Sequence, residues 1–374
     1  MIYPPREDSL LLERHVKRLA RGRVLDMGTG SGIQAIAAAK KKAVRSVLAV
    51  DINPAVVSYC KKQIANTKIK CLKSDLFEKV RGEFDTIIFN PPYLPQELAE
   101  RDVALEGGKK GYETIVRFLS EANAFLKTNG IILLLFSSLS NRKRIEESIR
   151  QNLFTFRELG RLHIFFEDLF VYRISKSALL KKIEYAGARQ LRYLTRGKRS
   201  WIFKGKFGNK DCVVKVKRPD SAANAPEKEG KMLKIVNRLG LGPKLLFASG
   251  DFVVYEYVPG RYLEDVLAKT TTKAKKALLR QLFEQAFVLD RAGLAKEEML
   301  RPLKNVIVTP KGRVVMIDFE RTHRVKKPRN VTQLCTFAAQ QGIVPLADIK
   351  RLAADYKMYP SRKNFRLLLK RICL

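Results

Sequence analysis

The chain has 374 residues and 46% apolar residues, long enough for two domains with a packed core in each half. Lys and Arg number 73 against 37 acidic residues, a net charge of +36 that points to polyanionic partners (tRNA, rRNA, ribosomes or an acidic protein surface), with a surface suited to heat or salt as the alternative. Cys60, Cys71, Cys212, Cys335 and Cys373 share no paired spacing, which excludes a disulfide framework and a zinc cluster; no run reaches the length of a membrane span, the charged start is no signal peptide, and a cytoplasmic location is expected.

Residues 8–20 have helical spacing. Residues 23–26 read as a strand, Gly28 to Gly32 as a turn, and 33–40 as an alanine-rich helix. A second strand at 46–51 precedes a helix that opens at Asn53-Pro54 and runs to 63. Strands follow at 68–73 and 84–89, then a helix at 114–126, a strand at 131–136 and a helix at 142–151. Residues 153–174 read as a closing pair of strands. Strands alternating with helices predict a parallel α/β sheet, doubly wound, with antiparallel closing strands. The texture changes near residue 176. Residues 177–189 read as a connecting helix, 191–217 as short alternating runs of a twisted antiparallel sheet, 226–239 as a helix and 252–257 as a strand, with the remainder mostly helical. The charge is lopsided as well: roughly +10 up to residue 176 and roughly +26 beyond it. Two domains are expected, 1–176 and 177–374.

In the first half, Gly28, Gly30 and Gly32 form a turn between a strand and a helix, where backbone N–H groups and a helix N-terminus face a ligand. Asp51 ends the second strand, where a carboxylate can accept from both ribose hydroxyls of an adenosine. Asp75 ends the third strand, where it can accept from an adenine amino group. Each acid taken singly also fits a helix cap. Together with the glycine turn they trace the switch-point crevice of an open sheet. The turn carries no basic residue, which suits an amino-acid tail and a sulfonium better than a pyrophosphate.

The order Asp26, Gly28 to Gly32, Asp51, Asp75, Asn90 resembles the class I S-adenosylmethionine (SAM)-dependent methyltransferases. Asn90-Pro91-Pro92-Tyr93, at the end of the fourth strand, is similar to the signature of enzymes that methylate a planar NH2 group. The Asn90 side-chain oxygen and the Pro91 carbonyl can accept both hydrogens of such a nitrogen, holding it in line with the donor methyl. Tyr93 offers a flat face to the substrate. The opening Tyr3-Pro4-Pro5-Arg6-Glu7-Asp8-Ser9, with Glu106-Gly107-Gly108-Lys109-Lys110-Gly111 downstream, resembles the short protein-glutamine N5-methyltransferases that modify translation release factors. This likeness covers residues 1 to about 175. It implies a Rossmann-like fold, SAM as cofactor, Glu7 and Asp8 at the cofactor site, a release factor or other translation protein as partner, and a small zinc-binding activator subunit. An RNA or DNA amino-group methyltransferase (adenine N6, guanine N2) stands as the alternative.

The second half resembles small atypical protein kinases of the RIO type over roughly residues 185–330, an α+β kinase-like fold. Lys215 alternates on a strand, and Glu229 in the next helix can pair with it. The stretch at Glu256 resembles a hinge. The likeness implies ATP with Mg²⁺ as a possible cofactor pair, held by Lys215, Glu229 and Glu256, with Asn305 and Asp318 as metal ligands. A kinase needs a carboxylate base near the transferred phosphate, and here only Glu298 can stand in for it. Thr195 to Ser200 is a poor lid with one glycine. Two readings stay open: ATP binding with phosphotransfer or hydrolysis, and a pseudokinase scaffold that binds RNA or the ribosome. His15, His163 and His323 make no ligand cluster; His15 reads as surface and His163 as a satisfied strand residue.

Overall fold

The computed structural model describes residues 4–63, 68–93, 110–221 and 224–373. Tyr3 and Glu106 to Lys109 of the segments above lie outside the described residues. Two compact units emerge, Met1–Leu194 with Phe203–Lys206, and Thr195–Ile202 with Phe207–Leu374.

The first unit follows the chain as α1 (Glu7–Leu19), β1 (Gly22–Met27), α2 (Ile33–Ala39), β2 (Val44–Asp51), α3 (Pro54–Gln63), β3 (Ile69–Lys73), β4 (Phe84–Phe89), α4 (Glu113–Ala122), β5 (Leu126–Ser137), α5 (Arg142–Gln151), β6 (Phe154–Ile164), β7 (Glu167–Lys176) and α6 (Ala178–Tyr185). Its seven-stranded sheet has the order β3-β2-β1-β4-β5-β7-β6. Strands β1 to β5 pair in parallel, and β7 and β6 close the sheet antiparallel. The reason is in the sequence: Val24, Leu25, Ile87, Ile88 and Leu133 are buried on both faces, as a strand covered by helices on each side requires. Helix α1 buries Leu11, Leu12 and Val16 along one stripe, each Leu contributing about 1.5–3 kcal/mol of burial. On the other face Phe118 of α4 packs against Phe77 and Phe89, with ring centroids 5.2 and 4.4 Å apart. The chain reverses its order between β1 and β4, which opens the crevice at their carboxyl ends.

Helix α4 ends at Ala122 rather than at 126, and β5 begins at Leu126 rather than at 131. Leu126 pairs with Phe84, then the register shifts so that Ile131 pairs with Thr86. The bulge hides the strand start behind Lys127, Thr128, Asn129 and Gly130. A Cβ at Gly130 would meet Leu126 Cδ1 at 2.7 Å and the Phe84 carbonyl at 3.0 Å, so a larger residue there would push Leu126 aside and crowd the bulge. Helix α6 counts with the first unit although the texture change places it in the second half. Its Glu184 pairs with buried Lys176 and accepts from Thr128 Oγ1 at 2.9 Å.

The chain continues with β8 (Ala188–Arg196), β9 (Ser200–Phe207), β10 (Lys210–Lys217), α7 (Ala225–Arg238), β11 (Leu245–Ala248), β12 (Phe252–Glu256), β13 (Arg261–Tyr262), α8 (Leu263–Leu267), α9 (Thr272–Arg291), β14 (Leu294–Ala295), β15 (Val306–Val308), β16 (Val314–Met316), β17 (His323–Arg324), α10 (Asn330–Gln340), α11 (Leu346–Met358) and α12 (Arg362–Cys373). The division between units runs through β8 and β9. A sheet of order β11-β12-β10-β9-β8 precedes the helical part, which holds several short strands where helix was expected. Buried Asp290 of α9 accepts from the Asn330 amides at 3.0 and 2.7 Å and from Tyr356 at 3.0 Å, tying α9, α10 and α11.

Candidate active site

The glycine turn joins β1 to α2. Gly28, Gly30 and Gly32 have φ of 63°, 52° and 81°, a left-handed region that costs other residues roughly 1 kcal/mol or more. Asp26 braces both ends of the turn from below. One of its oxygens accepts from Thr29 Oγ1 at 2.6 Å and from the Ala35 amide at 3.1 Å. Burial pushes its carboxyl up to about 7, against those two donors, and nearby Asp51 adds to the rise. Asp26 therefore acts through the turn rather than from the open crevice.

Asp51 stands at the carboxyl end of β2. One oxygen accepts from the Gly30 amide at 3.1 Å and the other from the Asn53 amide at 2.9 Å. Each carboxylate oxygen has a second lone pair, the capacity two ribose hydroxyls need. The Ser74 amide bonds the Asp51 carbonyl at 2.9 Å, so Asp51 and Asp75 sit at neighbouring strand ends. Asp75 pairs with Arg117 of α4 at 2.6 Å and is partly exposed.

Asn90 follows β4. Its Nδ2 donates to Asp8 Oδ2 at 2.8 Å. A carboxylate only accepts, so this contact fixes which end of the amide faces which way. The other end, Asn90 Oδ1, is buried and has no hydrogen-bond partner among the described residues. A buried acceptor left alone costs about 1–3 kcal/mol, so Asn90 holds stabilisation in reserve for a donor. Asp8 is buried in the first turn of α1 while Glu7 beside it is exposed. Gln34 of α2 donates to the Ser9 carbonyl at 2.8 Å, which seats α1 against the glycine-turn helix; its Oε1 is a second buried acceptor without a partner among the described residues. Gln34 escaped the sequence reading, and a lone amide inside an alanine-rich helix was its signal.

Tyr93 corrects an expectation. Its ring is 8% exposed and belongs to the apolar cluster of Leu12, Ile88, Leu135 and Val171, so it offers no open face to a substrate. Its carbonyl accepts from Ser140 Oγ at 2.7 Å. Tyr93 anchors the turn, and buried Pro91 stiffens it.

In the second unit, β10 places Lys215 and α7 places Glu229. Lys215 Nζ lies 2.8 Å from Glu229 and 2.9 Å from Asp318, with both Lys215 and Glu229 buried. Burial works against the Lys215 ammonium, yet Glu229, Tyr255 and Asp318 hold it well above its usual range. Burial likewise opposes the charge on Asp318, and Lys215 keeps its carboxyl below the usual range. Asn305 Nδ2 reaches Asp318 at 3.4 Å. Oxygens of Glu229, Asp318 and Glu320 lie within 4.8 Å of one another, a donor set that fits a divalent cation. Glu298 pairs with buried Lys296 at 3.1 Å, and Lys296 also donates to the Asp318 carbonyl. The side chain of Glu256 pairs with Lys210 at 2.6 Å. The turn at Gly197 is held by Arg218, which donates to the Gly197 and Lys198 carbonyls at 3.1 and 3.0 Å. Sequence reading missed Lys296 and Glu320.

A family model described as "Methyltransferase small domain" matches residues 7–163. A relative from Methanocaldococcus jannaschii named for protein N5-glutamine methyltransferase activity is 39% identical over 177 residues, 46% of this chain and 89% of its own length. A release factor glutamine methyltransferase of Shewanella oneidensis is 32% identical over 175 residues, 42% of this chain; the chain spans 61% of that relative's length. The solved E. cuniculi Mtq2–Trm112 complex, which methylates the termination factor eRF1, matches with 26% identity and a TM-score of 0.39 over 47% of this chain and 98% of that one. The chain belongs to the SAM-dependent methyltransferases of the protein N5-glutamine type. These matches cover less than half of it, and the second unit stands on its own geometry.

Proposed function

We propose that the first unit methylates the side-chain amide nitrogen of a glutamine in a translation release factor. The observation that carries this is the buried, partnerless Asn90 Oδ1 beside the glycine turn. The crevice fits SAM: Gly28, Gly30 and Gly32 give backbone approach, Asp51 gives two acceptor oxygens, Asp75 an edge carboxylate, and Gln34 a second orphaned acceptor. SAM supplies an electrophilic methyl group on a sulfonium sulfur. Asn90 Oδ1 and the Pro91 carbonyl accept the two hydrogens of the incoming amide, orient its nitrogen and steady the positive charge that grows on it. The nitrogen, once alkylated, is acidic enough to lose its proton to water. Names of relatives favour a release factor; the net charge of +36 favours RNA. Incubation with radiolabelled SAM and either release factor or total RNA separates the two. Label in the protein, lost in Asn90→Ala, is expected; label in RNA alone refutes the glutamine reading. A small activator subunit belongs to the same proposal, and its addition should raise the rate.

The second reading concerns the second unit, a kinase-like module that binds ATP with Mg²⁺. Lys215, Glu229, Asp318 and Asn305 come together from four separate elements and loops, which supports it. Lys215 and the carboxylates of Asp318 and Glu320 would hold the phosphates and cation, and Glu298 stands nearby through Lys296. Titration with Mg²⁺–ATP tests it: saturable binding lost in Asp318→Ala is expected. No binding leaves a basic scaffold for RNA or the ribosome.

A further inference from the structure

The β6–β7 hairpin turns at Phe165 and Phe166, between the paired residues Ile164 and Glu167. Both rings face solvent, at 88% and 96% exposure. Phe165 has φ of 46°. A two-residue hairpin turn with positive φ at its first position favours glycine there, so phenylalanine costs local stability and returns no packing. Folding gives no reason for either ring.

The register places this tip. Phe89, one residue before Asn90, pairs with Leu134 of β5, and Leu135 pairs with Val171 of β7. From Val171 the hairpin runs five residues beyond the level of Asn90, about 17 Å along the strands and about 10 Å to the side. It stands over the carboxyl edge that bears the crevice. Hydrogen bonds tie it there: Ser140 Oγ holds the Tyr93 carbonyl at 2.7 Å, and two residues away Ser138 Oγ accepts from the Asp168 amide at 3.0 Å. Leu139, between those serines, and Leu162 are exposed as well.

We propose that Phe165 and Phe166, with Leu139 and Leu162, form the surface that docks the folded protein whose glutamine enters the crevice. This rests on the glutamine reading above. A free amide cannot touch Asn90 and a ring roughly 20 Å away at once, whereas a folded protein can. Charge separates protein from nucleic acid. Residues 161–168 contain one Arg and two acids, Glu167 and Asp168, and Arg161 and His163 both engage Asp168. In a chain of net charge +36 this tip carries no cationic excess for phosphates.

The test compares wild type with the double variant Phe165→Gly, Phe166→Ser, which suits the turn and so folds. Methyl transfer from radiolabelled SAM is followed to a full-length release factor and to a short synthetic peptide carrying its glutamine. The KM for the protein should rise about tenfold or more, with kcat within about twofold and the peptide unaffected. An unchanged KM for the protein, or an equal loss on the peptide, overturns docking while leaving the glutamine reading intact. If wild type labels neither form, the glutamine reading fails and docking falls with it. Labelling of total RNA that depends on the two rings replaces the protein partner by nucleic acid and overturns the proposal.

Discussion

Replacing Asp8 by alanine tests how the acceptor site is aimed. Asp8 Oδ2 receives the Asn90 amide at 2.8 Å, which leaves buried Oδ1 as the end free to accept in the proposed reaction. Without that carboxylate both amide orientations become comparable, and the donor end can face the substrate, where it repels an incoming N–H. A hydrogen bond to a charged group contributes about 1.5–3 kcal/mol. Spent wholly on orientation, that is a fall of about one to two orders of magnitude in kcat. The buried Nδ2 left behind also lowers stability by about 1–3 kcal/mol, so both quantities must be measured. Asp8→Asn keeps an acceptor and should recover part of the rate. The assay is steady-state methyl transfer at saturating SAM, alongside thermal unfolding. Asp8→Ala combined with Asn90→Ala should be no slower than Asn90→Ala alone, because the two act as one device. A wild-type rate in Asp8→Ala, or additive losses in the pair, would refute the orienting role.

Three further outcomes follow from the geometry. Asp51→Ala removes the acceptor of the Gly30 and Asn53 amides and should weaken SAM binding about tenfold or more by calorimetry, with the fold kept by circular dichroism. Asp26, raised from 3.8 to about 7, stays protonated in the folded chain while the unfolded chain ionises. Its stabilising effect is complete below about pH 4 and is lost as pH rises to about 7, up to about 4 kcal/mol; in Asp26→Asn that decline in denaturant midpoint should flatten. Lys215→Ala leaves Glu229 and Asp318 facing each other without their cation and should cost about 3–5 kcal/mol, more at high pH than at low, because burial already favours protonated Glu229.

The parallel strands were legible because most are short apolar runs closed by a turn former, Gly28 after β1, Asp51 at the end of β2 and Asn90-Pro91 after β4. Their ends predicted the places of Asp51, Asp75 and Asn90 well, since strand ends in this topology share one edge. What stayed hidden was contact across distance. Asp8 and Asn90 are 82 residues apart, and nothing local announces that one orients the other. The same holds for Arg117 on Asp75. Tyr93 misled because an aromatic ring after two prolines suits a core as well as a binding face, and only the surrounding Leu and Val side chains decide. The start of β5 failed on a bulge, which breaks the alternation that a strand is recognised by. In the second unit the order Lys215, Glu229, Asn305, Asp318 was readable, whereas Lys296 reveals itself only through its burial against Phe319, 4.9 Å from the ring centroid.

Backbone amides already clasp Asp51, and the Asp26 brace beneath the glycines is likewise complete. On the proposed reading, the turn that receives the adenosine is thus already shaped. A nucleoside entering it would surrender mainly its own tumbling and torsions, since Asp51 and the glycine turn are already ordered. Association there should look like a lock receiving a key, with any slow adjustment confined to the acceptor side.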